Sequence, residues 1–382
     1  MLATLIADDK LRLLNMSIFA RHFGERVFKI VRIFGNDLRK YTPFSEINAV
    51  NRNNVTTLNL RYNPLRNYQS SITSYKVTHS EQNDFFLKSS SLFLSAGILS
   101  FFGLEKDDEK ESELITTIKR GVLLTQKEEF KKAEQMFHLA LKLAQEQQNY
   151  DGITFIYDML ANLAYDQEEY QKAEKLFVSV IQRLLSTGVS TTDNKVIHIS
   201  LKLANIYKIQ KDFRKAEEGF KFCKNHLQAS VESGKKDEDT VLLWAMALDG
   251  YARFLVDAAR LPEAFICFQK AYDLCVEING EENEEIVVLL NDLGTICFIQ
   301  NDLDKAVSFL KQAIAIGNKL PDMKDFSSVL LNLGTVYMKK GMVEEAKQSY
   351  EAAWKNAKQH KNSEVLKEVS SCMDELHHAK TG

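Results

Sequence analysis

The chain has 382 residues, 45% of them hydrophobic and 26% charged, with 4 prolines, 16 glycines and a formal net charge of −3. Such a composition is that of a soluble globular protein, and so few breakers favour long helices over loop-rich β architecture. The charge divides unevenly, with 13 Lys/Arg against 7 Asp/Glu up to Leu104 and 36 against 45 beyond it, and an acidic body that repels phosphate excludes nucleic acid as its ligand.

Residues 1–80 form a basic, Ser/Thr/Asn-rich and largely irregular leader with only five acids. Within it, from Met16 to Lys40, Phe19, Phe23, Val27, Ile30, Phe34 and Leu38 recur at helical spacing with arginines and a lysine opposite. A basic, acid-poor amphipathic helix is what a mitochondrial presequence requires. Its apolar face meets the import receptor, and its charge is drawn inward by the membrane potential. Asp8 and Asp9 fit that role poorly, which leaves two starts open, Met1 and Met16.

Next comes an apolar segment, 85–104. Its core, Ser89 to Leu104, is 16 uncharged residues, or about 24 Å of helix, a little short of the ~20 residues a bilayer needs. Phe85, Phe86 and Leu87 lengthen it if Lys88 snorkels. Lys88 precedes the segment and the acidic run EKDDEKESE follows it, which predicts a single membrane anchor with the remainder facing away from the positive side.

From Ser112 onward the chain repeats itself, and self-similarity at such a period is the mark of a helical array. Large apolar residues, then Gly or Ala, an aromatic, Ala, an aromatic and Ala recur at positions 4, 8, 11, 20, 24 and 27 of each unit. The last unit gives Leu330, Gly334, Tyr337, Ala346, Tyr350 and Ala353. Position 20 recurs at Ala133, Ala173, Ala216, Ala264, Ala306 and Ala346, so six units are expected. The first is weakest, with Arg120 where Leu is expected at position 7. This is the tetratricopeptide signature, and it predicts an all-α solenoid of about six helix pairs over 112–375. The intervals of 40, 43, 48, 42 and 40 residues exceed the minimal period of about 34. Longer helices or connections must absorb the excess, most of all at Glu232–Thr240, which reads as an exposed loop.

Longer runs carry a more specific likeness. YDMLANLAYDQEEYQKAEKLF, ISLKLANIYKIQKDF and LLNLGTVYMKKGMVEEAKQSYEAA resemble the mitochondrial tetratricopeptide repeat protein 19 family over roughly 112–375, and the layout of presequence, hydrophobic segment, acidic stretch and repeats is similar. The resemblance implies an inner-membrane protein associated with respiratory complex III. It would support assembly and upkeep of the complex, including clearance of fragments of the Rieske iron–sulfur subunit; the charges flanking the apolar segment, with Lys88 kept on the matrix side, favour repeats facing the intermembrane space. No cofactor is implied.

In such a solenoid the first helix of each unit lines a concave groove, with positions 2, 5, 9 and 12 turned into it. Here these include Phe155, Asp158, Asn162 and Tyr165, then His198, Leu201, Asn205 and Lys208, then Asp249, Arg253 and Asn291. Amides donate and accept at once, so Asn162 and Asn205 are placed to clamp an extended peptide. Lys202 and Arg253 are candidates to hold an acidic group. Asp158 sits where a carboxylate-clamp array needs Lys, which disfavours that mode. The sequence has no P-loop, dinucleotide fingerprint, zinc-protease helix or nucleophile elbow, and no catalytic or metal site is expected. Four of the five cysteines, Cys223, Cys267, Cys275 and Cys297, fall at apolar positions and are expected to be buried thiols. A cytosolic peptide-binding adaptor of the kinesin-light-chain type is the alternative reading; it needs heptads for a coiled coil, which the sequence lacks.

Overall fold

A computed structural model describes residues 112–320, 323 and 326–381, all-helical apart from the connections. The expected presequence and apolar segment lie outside these residues. Among the described residues no helix is long and apolar enough to cross a membrane.

Six helix pairs follow one another: α1 (Glu113–Gln126) with α2 (Phe130–Glu146), α3 (Tyr150–Asp166) with α4 (Tyr170–Ser186), and α5 (Asn194–Ile209) with α6 (Phe213–Glu232). Then come α7 (Glu238–Asp257) with α8 (Leu261–Asn279), α9 (Glu284–Ile299) with α10 (Leu303–Gly317), and α11 (Phe326–Lys339) with α12 (Val343–Gln359). A last helix, α13 (Ser363–Thr381), packs on α12 and α11. Each first helix packs on its own second helix and on the second helix of the unit before.

The small residues make this packing possible. All six position-20 alanines are 0% exposed, and the position-24 residues Phe137, Phe177, Phe220, Phe268, Leu310 and Tyr350 are buried beside them. Position 8 faces position 24 within a unit. A Cβ on Gly121 would stand 2.6 Å from Phe137 Cε1, and one on Gly294 would stand 2.9 Å from Leu310 Cγ. Glycine at those positions is therefore a matter of space. Arg120 is exposed, so the first unit carries a charged residue where Leu160, Leu293 and Leu333 are buried in later units.

One turn joins the two helices of every unit. The middle residue (Glu128, Glu168, Lys211, Ala259, Asn301 or Gly341) takes a φ between +57° and +75°. The N–H after it then returns to a carbonyl of the last helical turn at 2.8–2.9 Å, as from Glu129 to Leu124, Arg260 to Leu255 and Met342 to Tyr337. This closes the orphan carbonyls of the first helix and reverses the chain within three residues. Gly341 is the residue type such a turn favours most, and Asn301 the next. At the other four sites tertiary packing holds an L side chain in the left-handed region.

The expected exposed loop at Glu232–Thr240 is present but shorter, covering 233–237, and the rest of the long interval is absorbed by helix. Helix α6 runs through Glu232 and α7 begins at Glu238, leaving five residues between them. Asp237 caps α7 by accepting from the Thr240 N–H at 3.0 Å. Thr240 itself is fully buried, its hydroxyl accepting from Asn194 Nδ2 at 2.9 Å. The extra residues thus lengthen helices. Cys223, Cys267, Cys275 and Cys297 are buried, and burial pushes the Cys223 thiol up to about 12.

The two layers differ in burial. Second helices bury one stripe, as α2 does with Ala133, Phe137, Ala140 and Ala144. First helices bury long unbroken stretches: Asp158–Tyr165 in α3 and Ile286–Phe298 in α9.

Because position 20 has no free space, Ala216→Asp combines a clash with an unpaired buried charge and is expected to cost more than about 3 kcal/mol. Urea denaturation of wild type and variant measures it; an unchanged midpoint would show that Ala216 is not at a helix contact.

Candidate protein-binding groove

The predicted groove residues are joined to one another from unit to unit by polar contacts. On α3, Asn162 Nδ2 donates to the Asp158 carbonyl at 2.8 Å and to Asp158 Oδ2 at 3.2 Å. Lys202 of α5 reaches back and donates its ammonium to Asn162 Oδ1, and it also lies 5.7 Å from the Phe177 ring centre. One step further along, Asn205 Nδ2 donates to Tyr165 Oη at 2.5 Å. Asp158, Asn162, Tyr165, Lys202 and Asn205 are all under 8% exposed.

The same construction recurs between α7 and α9. Arg253 Nε donates to Asp249 Oδ2 at 3.1 Å on its own helix, and Nη2 to Asp292 Oδ2 at 2.6 Å on the next first helix. The guanidinium also stacks 5.6 Å from the Phe268 ring centre. Asn291 Oδ1 then accepts from Asn332 Nδ2 of α11 at 2.9 Å. The structure thus brings Asp158, Asn162 and Lys202 into one cluster and Tyr165 and Asn205 into a second. Arg253 and Asn291 belong to two further links, so the seven residues do not form a single site.

Two members of this ladder were missed in the sequence, Asp292 and Asn332. Both stand at position 6, as does Lys202, and in each case position 6 reaches back to position 5 or 9 of the preceding unit. The signal is a spacing of 39–41 residues between complementary polar side chains. It is masked because Lys, Asp and Asn share no letter and no charge.

Burial sets the electrostatics. Desolvation raises the Asp158 carboxyl above the usual carboxylate range, against the opposing charge of Lys202 and the hydrogen bond from Asn162. Desolvation likewise lowers the Lys202 ammonium, opposed by Asp158 and Asp166. His198, one turn before Lys202, is held well below its ordinary value by burial and then by the Lys202 charge, so its imidazole is neutral. Asp292 is raised by burial and drawn back by Arg253.

Tetratricopeptide repeat family models match residues 244–319 and 327–360. The chain is 34% identical over 286 residues to the mitochondrial tetratricopeptide repeat protein 19 homologue of Drosophila melanogaster, covering 74% of this chain and 78% of that one. It is 33% identical over 279 residues to tetratricopeptide repeat protein 19, mitochondrial, of Homo sapiens, covering 70% and 73%. The chain belongs to the mitochondrial tetratricopeptide repeat protein 19 family. Solved structures share the fold alone: aspartyl phosphate phosphatase F from Bacillus subtilis aligns at a TM-score of 0.51 and 14% identity over 78% of this chain and 79% of that one. BtubC from P. vanneervenii aligns at 0.50 and 20% identity over 66% and 94%.

In this member of the tetratricopeptide repeat protein 19 family the buried ladder fixes how neighbouring first helices meet, and its charges give two tests. Asp158 has a folded pKa above its unfolded value, so the folded state binds more protons and the group's contribution falls as pH rises through that window. Lys202 has a folded pKa below its unfolded value, so its contribution grows as pH climbs toward the ordinary lysine value. Asp158→Asn removes the larger of the two charges that favour the Lys202 ammonium, which keeps its hydrogen bond to Asn162 and the field of Asp166; it is expected to lose about 1–3 kcal/mol near neutrality and to recover as pH rises toward ~10. Lys202→Met leaves Asp158 with only the hydrogen bond from Asn162 and no facing cation, and should show the opposite slope, recovering as pH falls toward ~4. Denaturation across pH reads both, and parallel pH profiles for the two variants would rule out the pairing. Separately, Arg253→Ala strands Asp249 and Asp292 and is expected to cost about 3–5 kcal/mol. Adding Asp292→Asn should restore part of that loss; a loss below about 1 kcal/mol would reduce Arg253 to a surface ion pair.

Proposed function

We propose that this chain is a non-catalytic, protein-binding scaffold of the mitochondrial inner membrane that supports assembly and upkeep of respiratory complex III. The observation that carries this reading is the identity of about a third to relatives named mitochondrial, running through the repeats that build the groove. Tetratricopeptide repeats are protein-interaction modules, and the partners proposed are complex III subunits, including fragments of the Rieske iron–sulfur protein. The basic leader over 1–80 supports import, and the apolar segment 85–104 supports one anchor. Lys88 on one side and the acidic run on the other favour repeats in the intermembrane space.

The partner is placed in the concave groove, over Asp158, Asn162, Tyr165, Lys202, Asn205, Arg253 and Asn291. In the free chain these side chains spend their hydrogen bonds on one another, so they set the shape and charge of the groove floor. An extended peptide would engage them by exchanging amide contacts at Asn162 and Asn205. Affinity purification of the imported protein from mitochondrial membranes tests the reading. Complex III subunits are expected to co-purify, and yield should fall severalfold for the Asn162→Ala/Asn205→Ala pair. Absence of every complex III subunit would remove the proposed partner.

A further inference from the structure

The junctions between units are not built alike. Ion pairs tie the outer edges of units one and two, Lys172 to Glu134 at 2.6 Å, of units three and four, Arg260 to Glu217 at 2.6 Å, and of units five and six, Lys340 to Asp304. Units four and five meet there through the Phe265 and Phe309 rings, with centroids 6.1 Å apart. Between units two and three the outer edge has neutral donors instead. Gln210 Nε2 donates to Glu174 Oε2 at 3.3 Å, and Tyr207 bonds the same carboxylate. Helix α4 also packs more sparsely on α5 than any other second helix does on the first helix that follows it. The connection between them, 187–193, is seven residues long and mostly exposed. Its backbone bonds stay local, from the Val189 N–H to the Leu184 carbonyl and from the Asp193 N–H to the Ser190 carbonyl, both at 3.1 Å. Gly188 stands at φ +86° with open space where a side chain would be.

What closes this junction lies inside. Ile199, Leu203 and Ile206 of α5 pack with Phe177 and Val180 of α4, and beside them stand the Lys202–Asn162 and Asn205–Tyr165 hydrogen bonds. Such bonds are exacting in geometry, yet water replaces them on opening, so each contributes little net. His198 Nε2 on α5 is buried with no hydrogen-bond partner in the closed array, and it gains water when the junction parts. Weak outer ties, sparse helix packing and exchangeable inner bonds are the marks of a place that opens locally.

We propose that this junction is a hinge, with α1–α4 moving as one body against α5–α13 and the Lys202–Asn162 and Asn205–Tyr165 bonds as its latch. Directional bonds that are either made or broken give two discrete arrangements, closed and open, where a purely apolar seam would slide. Opening frees Asn162 and Asn205 for other amides, so a peptide that bonds them holds the hinge open. That consequence rests on the binding role proposed above; the hinge itself does not.

Pulsed electron–electron resonance on the full-length chain tests this, with Cys372→Ser removing the native thiol that is not buried. Spin labels at Gln135→Cys and Asn225→Cys span units one to three and cross the junction. Labels at Asn225→Cys and Ser308→Cys span units three to five without crossing it, and all three sites are exposed. The expected distance distribution across the junction is at least twice as wide as the control, or has two maxima. Lys202→Met is expected to raise the share of the open arrangement at least twofold while the control pair is unchanged. Equal widths for the two pairs in the chain with Lys202 intact would overturn the hinge, whether or not the Lys202→Met chain folds. A wide distribution together with undiminished capture of complex III subunits by the Asn162→Ala/Asn205→Ala pair would keep the hinge and remove its link to binding.

Discussion

Everything in this array depends on the close approach of two helices at one small residue. The six alanines at position 20 have no solvent exposure, and the bulky residue four places later fills the space opposite position 8. A longer side chain at either point would push the helices apart and uncover the surfaces that stack on the next unit. Repetition turns this local constraint into a global one. Each unit presents the face that its neighbour needs, and no unit buries its own apolar surface alone. The three-residue turn closing each pair belongs to the same economy of space. It holds five non-glycine residues at positive φ, where only surrounding contacts keep them.

On that frame the first helices carry a second layer of information. Lys202 reaches Asn162, Arg253 reaches Asp292 and Asn332 reaches Asn291, always from one unit to its neighbour. Apolar stacking is non-directional and tolerates small rotations. Hydrogen bonds between buried polar groups do not, because a slip leaves a donor or an ionised group unsatisfied. The ladder therefore fixes how successive first helices meet. Its residue types differ at each step, so each link accepts only its own partner and the units cannot exchange register.

Much of the fold was legible from single residues. Ala346 with Tyr350 and Gly334 identified a unit because space, the property being conserved between helices, is written in side-chain size. The buried cysteines followed from the same reasoning. Two features were not legible. The stretch Glu232–Thr240 looks like a solvated loop by composition, yet Asp237 caps a helix and Thr240 is sealed by Asn194; local polarity here serves capping and inter-unit bonding. Position 6 was invisible because the ladder depends on complementarity between units, and Asp292 or Asn332 has meaning only beside Arg253 or Asn291. The pairing among the candidate groove residues required the register that only the folded array supplies.

The central claim is that the first helices form the recognition surface and the second helices form the support behind it. Hydrogen–deuterium exchange on the full-length protein, free and bound to the partner it captures from mitochondrial membranes, measures this most directly. The account predicts added protection in α5, α7 and α9, with little change in α6, α8 and α10. Protection confined to α6, α8 and α10 would place the partner on the opposite face and contradict it.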